Sequence, residues 1–392
     1  MIDVTVEQIS DAVSAGVQHG WHASRLVKQD GTLYAIAPIP GASAETGPPY
    51  CRVFRREPDG SWLIATELDV TTYTTCIGPA GEFWMMGSYD FNNCHIWRSA
   101  PHEPNATEHV YEGRCFYGGT GIDQAGNFLF LHAERTDQHY GVPNAQIAAF
   151  YDAETDAWHT SRFPTPEGRY GYVHVLVRGR SAVALIQSTI YDFRANPVGM
   201  PIHYNWRYVR VVRCDDLTKG EWTQEPWLMP RYGRSCISDA TESPDGLYRV
   251  LVRHQGGNES FEATQLEPDD FMLATLGQDK PVESVKLGLD VKAARLFFSA
   301  DGRWFMTGRP VEGGDFRLWQ LDPTTYSVLN EWELPGTDVL GGDIVRTLRP
   351  DRWGGEADGD TIHLASGATG MIEAEEDRMA MWHVQFDLPA AN

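Results

Sequence analysis

Residues 294–308, ARLFFSADGRWFMTG, set an apolar run, an Asp-Gly turn and a second apolar run in immediate succession. Asp-Gly between such runs signals a tight hairpin, because glycine takes positive φ without steric cost. The same plan recurs at 25–37 (RLVKQDGTLYAIA), 74–87 (TTCIGPAGEFWMMG), 119–132 (GTGIDQAGNFLFLH), 173–186 (VHVLVRGRSAVALI), 239–252 (DATESPDGLYRVLV) and, degenerate, 349–365 (RPDRWGGEADGDTIHLA). Its turn glycines are Gly31, Gly81, Gly126, Gly179, Gly246, Gly302 and Gly359, spaced 50, 45, 53, 67, 56 and 57 residues apart. Seven hairpins at that interval predict an all-β, seven-bladed β-propeller, with four-stranded antiparallel blades.

A second hairpin follows in most units, as at 50–68 (YCRVFRREPDGSWLIATEL), 145–163 (AQIAAFYDAETDAWHTSRF), 208–226 (YVRVVRCDDLTKGEWTQEP) and 316–334 (FRLWQLDPTTYSVLNEWEL). These supply strands three and four of each blade. The last unit ends on MAMWHVQFDL with no fourth strand after it, whereas DVTVEQI at 3–9 is a β-like stretch without a partner. The N-terminal strand is therefore expected to join the last blade from outside, closing the ring and removing its free edges. One propeller then spans 1–392 as a single domain. Residues 6–16 are the one plausible short helix.

Composition narrows function. The 392 residues carry 32 Lys+Arg against 54 Asp+Glu, a net charge of −22, which disfavours a nucleic-acid partner because that ligand needs a broad basic face. No apolar run approaches membrane-spanning length, and the first residues lack a basic leader followed by an apolar stretch, so no membrane partner and a cytoplasmic location are expected. A secreted or periplasmic location remains the alternative if a leader has been removed. The cysteines Cys51, Cys76, Cys94, Cys115, Cys214 and Cys236 form no CxxC pair or zinc-type spacing and read as small buried side chains. No cofactor and no metal are expected. A His22–His132–His254 metal site drawn from different blades stays open, since such ligands leave no local spacing. No nucleophile elbow, phosphate loop or dinucleotide fingerprint occurs, and GGTG at 118–121 lacks the helix that would follow one.

The turns Asp59-Gly60-Ser61-Trp62 and Asp301-Gly302-Arg303-Trp304, with looser copies at Asp156-Ala157-Trp158 and Lys219-Gly220-Glu221-Trp222, resemble the D-x-G-x-W turns of the BNR-repeat (sialidase-like) propellers. Phe91–Ser99, FNNCHIWRS, is similar to the segment ending in W-R-S in that group. The resemblance implies a propeller. For function it implies a range: lyases of uronate polysaccharides, rhamnosyl-glucuronate hydrolases, sialidases and non-catalytic members. On the hydrolase analogy it points to His22 in the first blade, with His19 and Arg25 nearby. The sialidase branch lacks its Y-R-[IV]-P start here. Paired-carboxylate hydrolysis has only Asp90, Asp290 and Asp343, without distinguishing context.

In a propeller the strand 2–3 loops and the blade-to-blade connections share one face. The 2–3 loops are expected at 37–49, 88–93, 132–144, 189–206, 254–260, 309–315 and 366–377. On that face residues 161–234 hold 11 Lys+Arg and 6 Asp+Glu, net +5 within an acidic chain. The blade-three loop offers His132, Arg135 and His139. The long insertion at 188–206 offers Tyr191, Arg194, His203 and Trp206, and Arg169, Tyr232, Arg234 and His254 flank it. Histidine, tyrosine and arginine together suit β-elimination from a uronate. Arginine neutralises the carboxylate and makes C5–H acidic, a base removes that proton, and an acid protonates the leaving oxygen. The expected partner is thus an acidic oligo- or polysaccharide. The expected roles are His139 or His132 as base and Tyr191 as acid, with Arg135, Arg194 and Arg234 on the carboxylate and Trp206 and Tyr232 as sugar platforms. Two rivals remain: a non-catalytic propeller binding a glycan or protein through the same face, and a hydrolase centred on His22. Ion pairing of the arginines to Asp192, Asp215 or Asp216 is the competing account of the basic sector.

Overall fold

Phe128, Phe130, Leu129 and Leu131 are all fully buried, because successive side chains of one strand serve two different interfaces. The phenylalanines pack toward the preceding sheet and the leucines toward the following one. A strand buried on both faces reads as a continuous apolar run rather than an alternating one.

The computed structural model describes residues 2–13, 25–29, 31–40, 51–68, 74–78, 82–87, 93–99, 107–113, 115–134, 145–164, 169–189, 209–228, 234–255, 269–276, 283–340, 346–347, 359–367 and 379–390. The chain opens with β1 (Val4–Val13). Blade one is β2 (Leu26–Gln29), β3 (Thr32–Pro38), β4 (Cys51–Arg56) and β5 (Trp62–Leu68); blade two is β6 (Thr74–Ile77), β7 (Phe83–Gly87), β8 (Asn93–Ser99) and β9 (Thr107–Glu112). Blade three is β10 (Cys115–Ile122), β11 (Phe128–Glu134), β12 (Ala145–Asp152) and β13 (Ala157–Pro164); blade four is β14 (Arg169–Arg178), β15 (Ser181–Thr189), β16 (Val209–Cys214) and β17 (Thr223–Leu228). Blade five is β18 (Arg234–Glu242), β19 (Tyr248–Gln255), β20 (Asp269–Leu276) and β21 (Glu283–Lys286); blade six is β22 (Val291–Phe298), β23 (Trp304–Pro310), β24 (Phe316–Leu321) and β25 (Val328–Leu334). Blade seven is β26 (Arg346–Thr347), β27 (Thr361–Gly367) and β28 (Met379–Asp387), completed by β1 on its outer side.

Seven four-stranded antiparallel sheets, each in sequential order apart from the closing strand, make the protein a seven-bladed β-propeller. The N-terminal strand closes it, with Val4 opposite Phe386 and Glu7 opposite His383. The short helix expected over 6–16 does not form where the chain is described: residues up to Val13 are strand, because ladder pairing to β28 overrides a weak local preference. The remainder, 14–16, lies outside the described residues.

The core follows the ring. Among the described residues seven apolar clusters occur, each bridging two adjacent blades, such as Ile9, Met381, Leu26 and Phe54 between blades seven and one. The turn tryptophans belong to this framework. Trp222 donates to Ser161 Oγ at 3.2 Å across two blades, and Trp62 donates to Glu7 Oε2 at 3.3 Å across the closure. The glycines of GGTG serve packing: a Cβ on Gly119 would lie 2.0 Å from the carbonyl oxygen of Val173 on β14. Glycine there lets the innermost strands of blades three and four approach closely.

The turn end of the ring is cross-linked from blade to blade. Gly179 N–H donates to Asp123 at 2.7 Å, Arg178 donates to Glu242 and to the Gly246 carbonyl, and Ala300 N–H donates to Asp360 at 2.8 Å. These links tie neighbouring blades together at the turn end.

Candidate functional site

Strand direction decides what reaches that mouth. The second strands of blades three, four and five end at Glu134, Thr189 and Gln255, and their third strands resume at Ala145, Val209 and Asp269. Long segments therefore leave and return at one end of three adjacent blades. The innermost strands of the same blades begin at that end, at Cys115, Arg169 and Arg234. Register places Arg169 opposite Thr189, Arg234 opposite Gln255, and His254 between Ser235 and Asp270. The backbones of Arg169, Arg234 and His254 thus share the mouth of blades four and five. His254 belongs to β19 and not to a loop beginning at 254, since its ladder pairs continue to Gln255. His139, Tyr191, Arg135, Arg194, His203, Trp206, Tyr232 and His22 lie outside the described residues.

His132 corrects a second boundary. The expected loop 132–144 starts later, because His132 and Ala133 pair with Ile147 and Gln146 and extend β11 to Glu134. Its ring is wholly buried between Phe130 and Tyr111, with centroids 4.9 and 5.8 Å away. Nδ1 lies 2.9 Å from the Ala133 carbonyl, which can only accept, so Nδ1 carries the proton. Nε2 then accepts from the Tyr111 hydroxyl at 2.8 Å. Both nitrogens are engaged, which fixes the orientation of the ring and anchors the root of the segment that bears Arg135 and His139. In this arrangement His132 offers no lone pair to a metal, and among the described residues no three His, Cys, Asp or Glu side chains gather as a metal site.

Beneath the mouth lies a buried polar belt that sequence reasoning missed. Gln146, His174, Gln187, Ser238 and Asp239 are all nine-tenths or more buried. Gln187 Oε1 accepts the Ile237 amide at 3.3 Å, joining blades four and five. Ser238 and Asp239 accept the amides of Ala294 and Leu296 at 3.0 and 2.8 Å, joining five and six. Among the described residues both amide atoms of Gln146, and Nε2 of Gln187, have no hydrogen-bond partner. Buried polar groups without partners are costly and concentrate where ligands or functional loops meet a core. The signal was present, since Gln146 and Gln187 interrupt runs (AQIAAF, VALIQST) whose neighbours are apolar.

Pairing accounts for part of the basic sector. Arg162 pairs with Glu134 at 2.7 Å, Arg180 with Asp152 at 2.8 Å, Arg213 with Glu225 at 3.4 Å and Lys219 with Asp216 at 3.1 Å. Hydrogen bonds from Thr218 and Lys219 hold the Asp216 carboxyl down at about 2. Asp216 thus pairs with a lysine of its own turn and not, as the competing account expected, with an arginine of another blade, while Arg178 is taken by Glu242 at the opposite end. Arg169 and Arg234 begin the innermost strands of blades four and five at the mouth, and Arg194 and Arg231 lie outside the described residues. Of the His19–His22–Arg25 group, Arg25 is described: it is buried beside Cys51, whose thiol burial pushes up to about 12. Cys51, Cys94 and Cys214 are buried free thiols, as expected of small core side chains.

No family model matches the chain, and no curated protein matches it in sequence. The BNR-repeat resemblance thus rests on the D-x-G-x-W turns and the segment ending in W-R-S. Among solved structures the chain is similar to an ulvan lyase of polysaccharide lyase family PL25 bound to -[GlcA(1-4)Rha3S]-, with TM-score 0.60 and 9% identity over 95% of this chain and 94% of that one. It is also similar to the polysaccharide lyase Uly1, with TM-score 0.58 and 8% identity over 98% of this chain and 99% of that one. At such identities the likeness is one of fold.

Proposed function

We propose that the chain is a carbohydrate-active propeller that binds a uronate-containing saccharide at the loop mouth of blades three to five and cleaves it by β-elimination. The observation that carries this reading is convergence: Arg169, Arg234, His254 and the roots of the 135–144 and 190–208 segments all emerge at one mouth. Likeness in fold to an ulvan lyase bound to a glucuronate–rhamnose ligand supports the substrate class.

The chemistry divides among named groups. Arg194 and Arg234, with Arg135, neutralise the C6 carboxylate, so that negative charge developing at C5 is stabilised. His139 takes the C5 proton, and the electron pair left behind becomes the C4–C5 double bond. The C4–O bond breaks, and the departing oxygen receives the proton of Tyr191. His132 positions: buried, with both ring nitrogens engaged, it holds the strand from which the 135–144 segment departs. His203, Arg169 and His254 contact neighbouring residues of the acidic chain, while Trp206 and Tyr232 carry sugar faces. A local positive field in an acidic protein selects the anionic ligand over other polymers.

Incubation with a panel of glucuronate- and iduronate-containing polymers, followed by ultraviolet absorbance of the conjugated C4–C5 product, tests the reading. Absorbance growing with time and enzyme supports elimination. New reducing ends without absorbance would replace it with hydrolysis centred on His22, and saturable binding without either product would make the propeller a recognition module.

A further inference from the structure

The opposite mouth, at the turn end, holds a cavity of about 600 Å³ between the innermost strands of blades three, four and five. That size falls within the ordinary range for small-ligand sites. Its walls include Ile122, Val175 and Val177, which are apolar, and the charged groups at its rim are already matched. Arg178 donates to Glu242 at 2.5 Å and to the Gly246 carbonyl at 2.8 Å, and its guanidinium lies 5.1 Å over the Tyr248 ring. Asp123 accepts four hydrogen bonds, from the amides of Ala125, Asn127 and Gly179 and from the Asn127 side chain.

What is left to recognise a ligand is neutral. Thr120 and Tyr248 line the cavity, are 9% and 5% exposed, and among the described residues neither hydroxyl has a hydrogen-bond partner. Burial pushes the Tyr248 phenol up to about 12, with Arg178 opposing and Glu242 adding to the shift, so it stays protonated and able to donate. Two hydroxyl-bearing side chains on the cavity wall, apolar walls and compensated charges fit hydroxyl-bearing rings with no net charge.

We infer that the turn-end cavity is a second ligand site, which takes an uncharged polyhydroxylated molecule of one or two sugar rings, with Thr120 and Tyr248 as its hydrogen-bonding contacts. It is separate from the basic mouth, because the strands of blades three to five run between the two ends, and it does not depend on the activity proposed there.

The test is calorimetric titration of the full chain with maltose, cellobiose and, as a charged control, glucuronate. Saturable binding of a neutral disaccharide is expected, weakened about 2- to 10-fold by Thr120→Val and by Tyr248→Phe. Ala125→Trp adds an indole at the exposed tip of the lining turn, touches no core residue, and is expected to abolish binding while leaving the melting temperature unchanged. Absence of saturation by either disaccharide up to tens of millimolar overturns the inference. Unchanged affinity in the Thr120→Val/Tyr248→Phe double variant, or equal affinity for glucuronate, overturns it as well.

Discussion

The carboxylate of Glu7, on the first strand, accepts a hydrogen bond from Nδ1 of His383, on the last, at 2.9 Å. Nε2 of His383 in turn lies 3.0 Å from Nδ1 of His363, and Arg56 of blade one donates to both oxygens of Glu7 at 2.8 and 2.5 Å. Trp62 also donates to Glu7. The propeller is thus closed by a strand ladder plus one carboxylate that joins blade seven to blade one. Residues 376 positions apart meet there only because the ring closes.

That carboxylate makes closure acid-sensitive. Burial alone would raise Glu7, but hydrogen bonds from Arg56 and His383, with the charges behind them, outweigh it and hold the group at about 2 against an ordinary 4.5. Burial lowers His383 below its ordinary 6.5, against the opposing pull of Glu7. Both groups have folded values below unfolded ones, so both contribute stability above the unfolded values and lose it as pH falls. The His383 contribution fades on acidification below 6.5, and the Glu7 contribution fades between 4.5 and about 2. Thermal melts across that range should show a stepwise decline in Tm. Glu7→Gln should lower stability at neutral pH by about 1–3 kcal/mol, by leaving Arg56 without its partner, and should flatten the lower step while deepening the upper one, because the pull of Glu7 on His383 is lost. An unchanged lower step in the variant would show that another carboxylate governs it.

Gly119 and Gly302 separate two reasons for glycine. At Gly119 a Cβ meets the backbone oxygen of Val173 at 2.0 Å, and backbone on a buried strand cannot move aside. Gly119→Ala should cost about 2 kcal/mol or more, read as a lower denaturant midpoint. At Gly302 nothing lies within 4 Å of an added Cβ, but φ is +83, so Gly302→Ala should cost about 1 kcal/mol from backbone strain alone. Equal costs at the two sites would contradict this division.

Tyr111 and His132 should be coupled. Tyr111→Phe leaves Nε2 of His132 buried without a donor, with an expected loss of about 1–2 kcal/mol. In a double-mutant cycle with His132→Leu, the combined loss should fall short of the sum of the single losses. Additive losses would mean that the 2.8 Å contact contributes nothing to stability.

At the basic mouth the roles divide kinetically. His139→Ala and Tyr191→Phe are each expected to lower kcat on a cleaved uronate polymer by about 100-fold or more, with far-ultraviolet circular dichroism unchanged. Arg234→Ala should raise KM about tenfold or more and steepen with salt less than the parent. Retention of full activity in both His139→Ala and Tyr191→Phe would move the chemistry away from this mouth.

Much of the architecture was legible locally. Apolar runs flanking Asp-Gly and Ala-Gly turns mark strand pairs, because turn conformation and period-2 burial depend on neighbours in the chain. The lone N-terminal strand could be assigned by elimination. The reading of 6–16 as a helix failed because pairing with β28 is not a local property. His132 and His254 were placed one step too far into loops because strand ends depend on which partner continues the ladder. The buried polar belt of Gln146, Gln187 and Asp239 was passed over because burial of a polar residue depends on the neighbouring blade.

By itself, then, the sequence determined the repeat, the strand order and the end of each blade at which its loops emerge, since these follow from turn chemistry and alternating burial. Tertiary structure alone decided that Glu7 would meet His383 and Arg56, that His132 would be sealed against Tyr111, and that two hydroxyls would face a cavity at the turn end. Each of those arrangements joins residues from different blades. Their proximity is created by closing the ring, and no spacing along the chain encodes it.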